Sequence, residues 1–304
     1  MSEHPLARLG WRADLQSHLD VVGDRRLVAA RVLAADRGRA IVDAGEGPWS
    51  ATLAGRLARR GGAPATGDFV AALPGGPVRA VLPRRGVIAR RGEGGRPEVL
   101  AANVDLALVA TSLNRDLNPR RLARFLAVTL RGAVATTILL TKADLPGDAD
   151  RVAAGLEARL DGTPVLPVSV RDGTGLADLR ALLAPRHTSV LLGTSGVGKS
   201  ALLNALLGEE RQPTAPIRTG DDRGRHTTVR RELVPMPGGA LLVDTPGLRV
   251  VAPLEDADDP VPLLEDKATS KRERRARERA FHRGVYRDMR AGRRHREARE
   301  RRSG

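Results

Sequence analysis

The chain has 304 residues, enough for two domains, and 41% are hydrophobic but only 2% aromatic, so its cores must be built from Leu, Val and Ala. It has no cysteine, which excludes disulfides and thiolate zinc sites and suits a reducing cytoplasm, and it shows neither an apolar N-terminal run nor a membrane-length apolar segment. Lys plus Arg number 51 against 36 Asp plus Glu, for a formal net charge of +15, a balance that predicts a polyanionic partner, the alternative being an Arg-rich coding bias.

Residues 1–19 read as a loose N-terminal arm. Between 20 and 95, five short apolar segments (LVAARVLAAD, RAIVDAG, WSATLAGRL, DFVAALP and VRAVLP) are separated by turn signals such as DRGR, GEGP and PGGP. Five strands in so short a stretch predict a small OB-like β-barrel, although the spacing also fits other small β domains. Trp49 and Phe69 are its obvious aromatics, so little base stacking is expected. Arg84, Arg85, Arg90 and Arg91 form a basic cluster suited to backbone phosphates.

Residues 96–252 alternate apolar runs with helical patterns: VDLALVAT, PRRLARFLAVTLRG, TTILLT, PVLPVSV, LADLRALL, HTSVLLG and KSALLNALLG. That alternation predicts a parallel sheet covered on both faces. Residues 253–266 read as an acidic linker. Residues 267–304 form a basic, helix-prone tail, which suits either RNA or a solvated helix with Glu–Arg pairs at i,i+4 spacing.

The chemistry concentrates in the α/β part. Gly193-Thr194-Ser195-Gly196-Val197-Gly198-Lys199-Ser200 matches G-x-x-x-x-G-K-[ST], follows the apolar strand SVLL and opens the helix ALLNALLG. In such a loop, main-chain N–H groups converge on phosphate oxygens and the helix N-terminus, at Ser200 and Ala201, adds partial positive charge. Lys199 is expected to reach the β- and γ-phosphates and Ser200 to ligate Mg²⁺. Asp244-Thr245-Pro246-Gly247 follows the strand ALLV, with Asp244 on the Mg²⁺ side and the Gly247 N–H toward the γ-phosphate.

Base recognition is predicted upstream. Thr141-Lys142-Ala143-Asp144 resembles the guanine-reading [NT]-K-x-D element. Asp144 would accept from guanine N1 and N2, donors that adenine lacks, and the Lys142 stem would cover the base plane. Thr141 stands where Asn is commoner, which predicts weaker bracing of the phosphate loop. Ser169-Val170 resembles the second base-side loop, with Val170 in place of the usual Ala. The base-reading motifs therefore precede the phosphate motifs, the order of a circularly permuted GTPase.

This order, the preceding barrel, GTSGVGKS, GRHTT, DTPG, Leu82-Pro83-Arg84-Arg85 and AANVDLALVATSLN together resemble the RsgA (YjeQ) family of small-ribosomal-subunit biogenesis GTPases over about residues 20–252. The resemblance implies an α/β P-loop GTPase, circularly permuted, preceded by an OB-like barrel and followed by a basic helical tail. It implies GTP as substrate, Mg²⁺ as cofactor, the 30S subunit and 16S rRNA as partners in late 30S maturation, and a cytoplasmic protein, expected to be monomeric. In the family a zinc-binding domain with Cys and His ligands follows DTPG. Here the linker and tail follow, and no zinc site is expected.

Within Gly224-Arg225-His226-Thr227-Thr228, the switch I candidate, Thr227 is expected to ligate Mg²⁺, with Thr228 the next choice. Leu248 follows Gly247 and cannot orient water, so His226 is the expected catalytic residue. An alternative for His226 is a solvent-exposed loop histidine. Arg223 and Arg225 flank the switch and are conceivable arginine fingers. The departure after residue 252 leaves two other functions open. One is a GTPase switch with a non-ribosomal partner. The other is an RNA-binding module with a weak nucleotide site, against which Lys199, Ser200, Asp144 and Asp244 speak.

Overall fold

The computed structural model describes residues 3–36, 38–55, 57, 62–92, 97–114, 117–194, 196–208 and 231–244. The five apolar segments of the first part become β1 (Val28–Asp36), β2 (Arg39–Asp43), β3 (Pro48–Thr52), β4 (Phe69–Ala72) and β5 (Val78–Val81). β1 pairs antiparallel with both β2 and β4, β2 with β3, and β4 with β5. A parallel bridge from Leu53 to Val78 returns the end of β3 to β5 and closes a small barrel of the oligonucleotide-binding type. Ala30, Val32, Ala40, Val42, Ala51, Val70, Ala72 and Val78 fill it, the small and β-branched side chains that so narrow an interior accepts.

A second ribbon, β6 (Val87–Arg91) with β7 (Pro97–Ala102), was not predicted. The expected boundary at 95/96 falls between its two strands. The ribbon packs on helix α2 (Pro119–Arg131): the Val87 N–H donates to Gly132 O at 2.9 Å. A Cβ at Gly132 would come within 1.7 Å of the Val87 carbonyl oxygen, so only glycine allows this approach.

The α/β part runs β8 (Leu106–Ser112), α2, β9 (Ala135–Thr141), α3 (Ala149–Arg159), β10 (Val165–Val168), α4 (Leu176–Leu182), β11 (Thr188–Gly193), α5 (Lys199–Leu207), β12 (Glu232–Pro235) and β13 (Leu241–Asp244). The spatial order is β10-β9-β8-β11-β13-β12, parallel except for the antiparallel β12. Alternation along β8 sorts the two faces. Ala107 and Val109 meet Leu122, Phe125 and Val128 of α2, while Leu106, Leu108 and Ala110 share a core with Leu179 of α4 and Leu202 and Leu206 of α5. Asn118 caps α2 by accepting the Arg121 N–H at 3.2 Å, with Pro119 at the first helical position.

Barrel and α/β part share one eleven-stranded sheet, because β12 pairs with β13 on one side and with β1 on the other, Ala34 opposite Glu232. The N-terminal segment is packed rather than loose. A 3₁₀ turn at Ala7–Leu9 and α1 (Asp14–Val21) bury Leu6, Leu9 and Leu15 in the same core as α2. Arg31 of β1 pins the seam. Its guanidinium donates to Thr188 Oγ1 at 2.9 Å and Leu9 O at 3.3 Å and lies 4.2 Å from the centre of the Phe69 ring. Burial pulls its pKa down to about 9, which leaves it charged at neutral pH. No helix among the described residues is long and apolar enough to cross a membrane.

The basic cluster at residues 84–91 makes ion pairs within the chain, though Arg85 and Arg91 stay exposed. Arg84 grips the fully buried Asp68 with two bonds, at 2.8 and 2.7 Å, Arg90 pairs with Glu98 at 2.8 Å and Arg85 with Asp14 at 3.0 Å. Arg91 also has a partner. Phe69 lies beneath Arg31, and Trp49 is half-buried with its indole N–H donated to Gly76 O. Arg84→Ala is expected to cost about 3–5 kcal/mol of folding stability, because it strands the Asp68 carboxylate in the core. Urea unfolding would show the loss as a lowered midpoint at constant slope.

Candidate nucleotide site

The ends of β9, β10, β11 and β13 lie along one edge of the sheet, the edge at which open α/β sheets bind ligands. Register fixes their neighbourhood: Thr141 is opposite Val168, Gly193 opposite Ala110 of β8, and Val190 opposite Val243 next to Asp244. Four separated stretches of sequence are thus brought to one rim.

The loop between β11 and α5 follows the phosphate-binding pattern. Gly193 has φ 146°, and a Cβ there would come 2.6 Å from the Ala110 carbonyl oxygen, so no side chain is accommodated. Lys199 opens α5 and folds its ammonium back onto the loop, donating to Gly193 O at 2.8 Å and Thr194 O at 2.6 Å. Gly196, Val197 and Gly198 complete the turn, and Ser200 and Ala201 are exposed on the first turn of the helix. The helix N-terminus, the loop amides and the ammonium make this corner suited to anionic oxygen.

The base-side elements are tied to that loop and to each other. Thr141 is buried, and its hydroxyl donates to Val197 O at 2.7 Å, with Thr111 O at 3.2 Å as the more distant acceptor. A hydroxyl carries one proton, so the nearer carbonyl takes it. Bracing of the phosphate loop is therefore present with Thr in place of Asn. Lys142 adopts φ 59°, a left-handed conformation that turns the chain sharply at the strand end. The Ala143 N–H donates to Val168 O at 3.2 Å, so the two base-side loops are stapled through main chain.

Ser169, buried at the end of β10, donates its hydroxyl to Asp144 Oδ1 at 2.8 Å and accepts the Arg171 N–H at 3.2 Å. The other oxygen, Oδ2, lies 3.7 Å from the exposed Arg171 guanidinium. One carboxylate, fixed in rotation, therefore stands at the rim, and Val170 is exposed beside it. Replacing Thr141 by Ala is expected to cost about 1–3 kcal/mol, since Val197 O becomes a buried unpaired acceptor. It should also speed nucleotide release, measurable by stopped-flow displacement of a fluorescent GDP.

On the phosphate side, the exposed Ser200 hydroxyl and the half-buried Asp244 carboxylate sit at the ends of adjacent strand–loop units. Both are hard oxygen donors, the kind Mg²⁺ takes when it binds through one or two protein groups and phosphate oxygens. Ser195, His226, Thr227, Thr228, Gly247, Arg223 and Arg225 lie outside the described residues, as do the linker and tail. One neighbour was missed in the sequence. Arg121, in the first turn of α2, donates Nη1 to the Thr194 hydroxyl at 3.3 Å. The available signal was a helix start with two arginines and no acid.

The sequence pattern of the RsgA GTPase family matches residues 81–252. A small ribosomal subunit biogenesis GTPase RsgA of Syntrophotalea carbinolica is 41% identical over 261 residues, covering 80% of this chain and 71% of that protein. The protein of the same name from Streptomyces avermitilis is 42% identical over 272 residues, covering 84% and 71%. Among solved structures, YjeQ from Thermotoga maritima aligns with a TM-score of 0.55 at 25% identity over 73% of this chain and 75% of that one. The circularly permuted GTPase YloQ aligns with a TM-score of 0.51 at 23% identity, covering 75% and 74%, a likeness of fold. With the permuted strand order and a barrel ahead of it, this α/β unit is a circularly permuted P-loop GTPase fold, and the chain belongs to the RsgA GTPase family.

Proposed function

We propose that the protein hydrolyses GTP to GDP and phosphate at this rim, and that it does so as an assembly factor in late maturation of the 30S ribosomal subunit, working as a cytoplasmic monomer in contact with 16S rRNA. The GTPase family, whose members hydrolyse GTP, supports the activity. The names of the relatives support the ribosomal role. The observation that carries the site assignment is the Thr141–Val197 bond, which couples the candidate base reader to the candidate phosphate cradle.

In this reading the amides of Gly193, Thr194, Ser195, Gly196, Val197 and Gly198, with those of Lys199, Ser200 and Ala201, surround the phosphates. Lys199 neutralises β- and γ-oxygens. Asp144 accepts from guanine N1–H and N2–H, the Lys142 stem covers the base, and Ser169 and Val170 line the O6 side. Ser200, Asp244 and Thr227 would hold Mg²⁺, which when bound neutralises charge on the β- and γ-phosphates. His226 would orient the attacking water and Gly247 would contact the γ-phosphate. The net charge of +15 suits an rRNA partner.

Sedimentation with purified 30S subunits tests the partner. Co-sedimentation with a non-hydrolysable GTP analogue, and release with GDP, is the expected result. Equal sedimentation in both states, or none in either, would leave a GTPase that serves another partner. His226→Ala is the companion variant, and unchanged subunit-stimulated turnover in it removes the histidine from the mechanism.

A further inference from the structure

We propose that Arg121 is a second cation, beside Lys199, that this chain itself supplies to the γ-phosphate during hydrolysis, an assignment that rests on the GTPase reading above. Several observations converge on it. β8 and β11 are adjacent parallel strands, with Ala110 opposite Gly193, so the helix that follows β8 starts beside the phosphate loop. That helix, α2, begins Pro119-Arg120-Arg121 with no acidic residue in its first turn. Arginines at a helix N-terminus oppose the macrodipole, so their placement costs stability unless an anion comes to meet them.

Arg121 is anchored rather than splayed into solvent. The Asn118 side chain accepts its main-chain N–H at 3.2 Å, and its guanidinium reaches Thr194 Oγ1 at 3.3 Å. Lys199 holds the main-chain oxygen of the same Thr194 at 2.6 Å. Two cations thus converge on one residue of the phosphate loop, one on its side chain and one on its carbonyl. The guanidinium has no ion-pair partner among the described residues, whereas Arg84, Arg85 and Arg90 of the same chain all have one. It contacts a neutral hydroxyl, a weak hold that a phosphate oxygen would outcompete.

In hydrolysis the water oxygen bonds to the γ-phosphorus, and the bond from that phosphorus to the β–γ bridging oxygen breaks, its electron pair leaving with GDP. The water's protons pass to phosphate and solvent. Charge grows on the bridging and equatorial oxygens, and a fixed guanidinium is suited to stabilise it. Arg121 would occupy the role that other GTPases give to an arginine supplied in cis.

Arg121→Ala and Arg121→Lys are compared with wild type in single-turnover GTP hydrolysis, together with titration of fluorescent GDP and a non-hydrolysable GTP analogue. Arg121→Ala should lose turnover on the order of 10²-fold. Its GDP affinity should stay within about 2-fold of wild type, since the lost contact is to the γ-phosphate. Arg121→Lys should fall between, because a point charge replaces the planar fork. Added guanidinium ion should restore at least ~10-fold of the rate lost in Arg121→Ala and none in Lys199→Ala. Retained GDP binding shows that the variant is folded. Unchanged turnover, or equal loss of GDP and GTP-analogue affinity without rescue by guanidinium, overturns the assignment and leaves Arg121 as a prop for the loop. Failure of the wild type to hydrolyse GTP would instead strike the GTPase reading itself.

Discussion

Lys199→Ala is expected to lower GTP turnover by about 10³-fold and to weaken triphosphate binding more than diphosphate binding. The ammonium is already held against Gly193 O and Thr194 O at 2.8 and 2.6 Å. Its position is therefore set before the nucleotide arrives, and little reorganisation remains for the reaction to drive. Removing it takes a preorganised charge away from a site where charge develops in the transition state. Lys199→Arg should recover little, because a guanidinium fork is wider and planar where the loop encloses a compact ammonium. Single-turnover hydrolysis with purified protein checks both variants. Turnover within about 3-fold of wild type in Lys199→Ala would remove this loop from the chemistry.

The second large effect concerns the base. Asp144→Asn should invert nucleotide preference from guanosine toward xanthosine triphosphate. A carboxylate presents two acceptors to the N1–H and N2–H donors of guanine. An amide presents one acceptor and one donor. Xanthine keeps a donor at N1 but carries a carbonyl at position 2, which matches the amide. Ser169 Oγ, which donates to Asp144 Oδ1 at 2.8 Å, should hold the amide oxygen in the same place and leave its NH₂ turned outward. Sites that pair a buried polar group reject the mismatched ligand by about 10⁴-fold. A GTP affinity in the variant within about 10-fold of wild type, by calorimetry, would show that Asp144 does not read the base.

The candidate site was legible because its motifs are local. A phosphate loop needs glycines, a lysine and a helix start in one short run, and the three companion segments each end an apolar strand. The five barrel strands were legible for the same reason, as apolar runs between glycine and proline turns. What could not be read was tertiary. Leu6, Leu9 and Leu15 are too sparse to show a period, yet each is buried under the sheet. The β6–β7 ribbon carries Arg90, Arg91 and Glu98 among its apolar residues, and main-chain pairing with burial of Val87, Ile88, Leu100 and Ala101 makes it a sheet without a clean alternation. The burial of Arg31 could not be read either, since Phe69, Thr188 and Leu9, scattered along the chain, converge on it. The partners of three junction arginines, Asp68 for Arg84, Asp14 for Arg85 and Glu98 for Arg90, could not be read from the sequence either. Arg121 went unnoticed because its value lies in a neighbour 73 positions away.

Asp244 ends a strand separated from the barrel by β12 alone: Glu232 sits opposite Asp244 on one side and Ala34 on the other. Two modules joined by a flexible tether would tumble separately, and a change at one would be lost in the slack. Here β12 joins the strand that ends at Asp244 to β1 of the barrel through main-chain pairing. A small tilt of β13 is therefore expected to reach the barrel through β12.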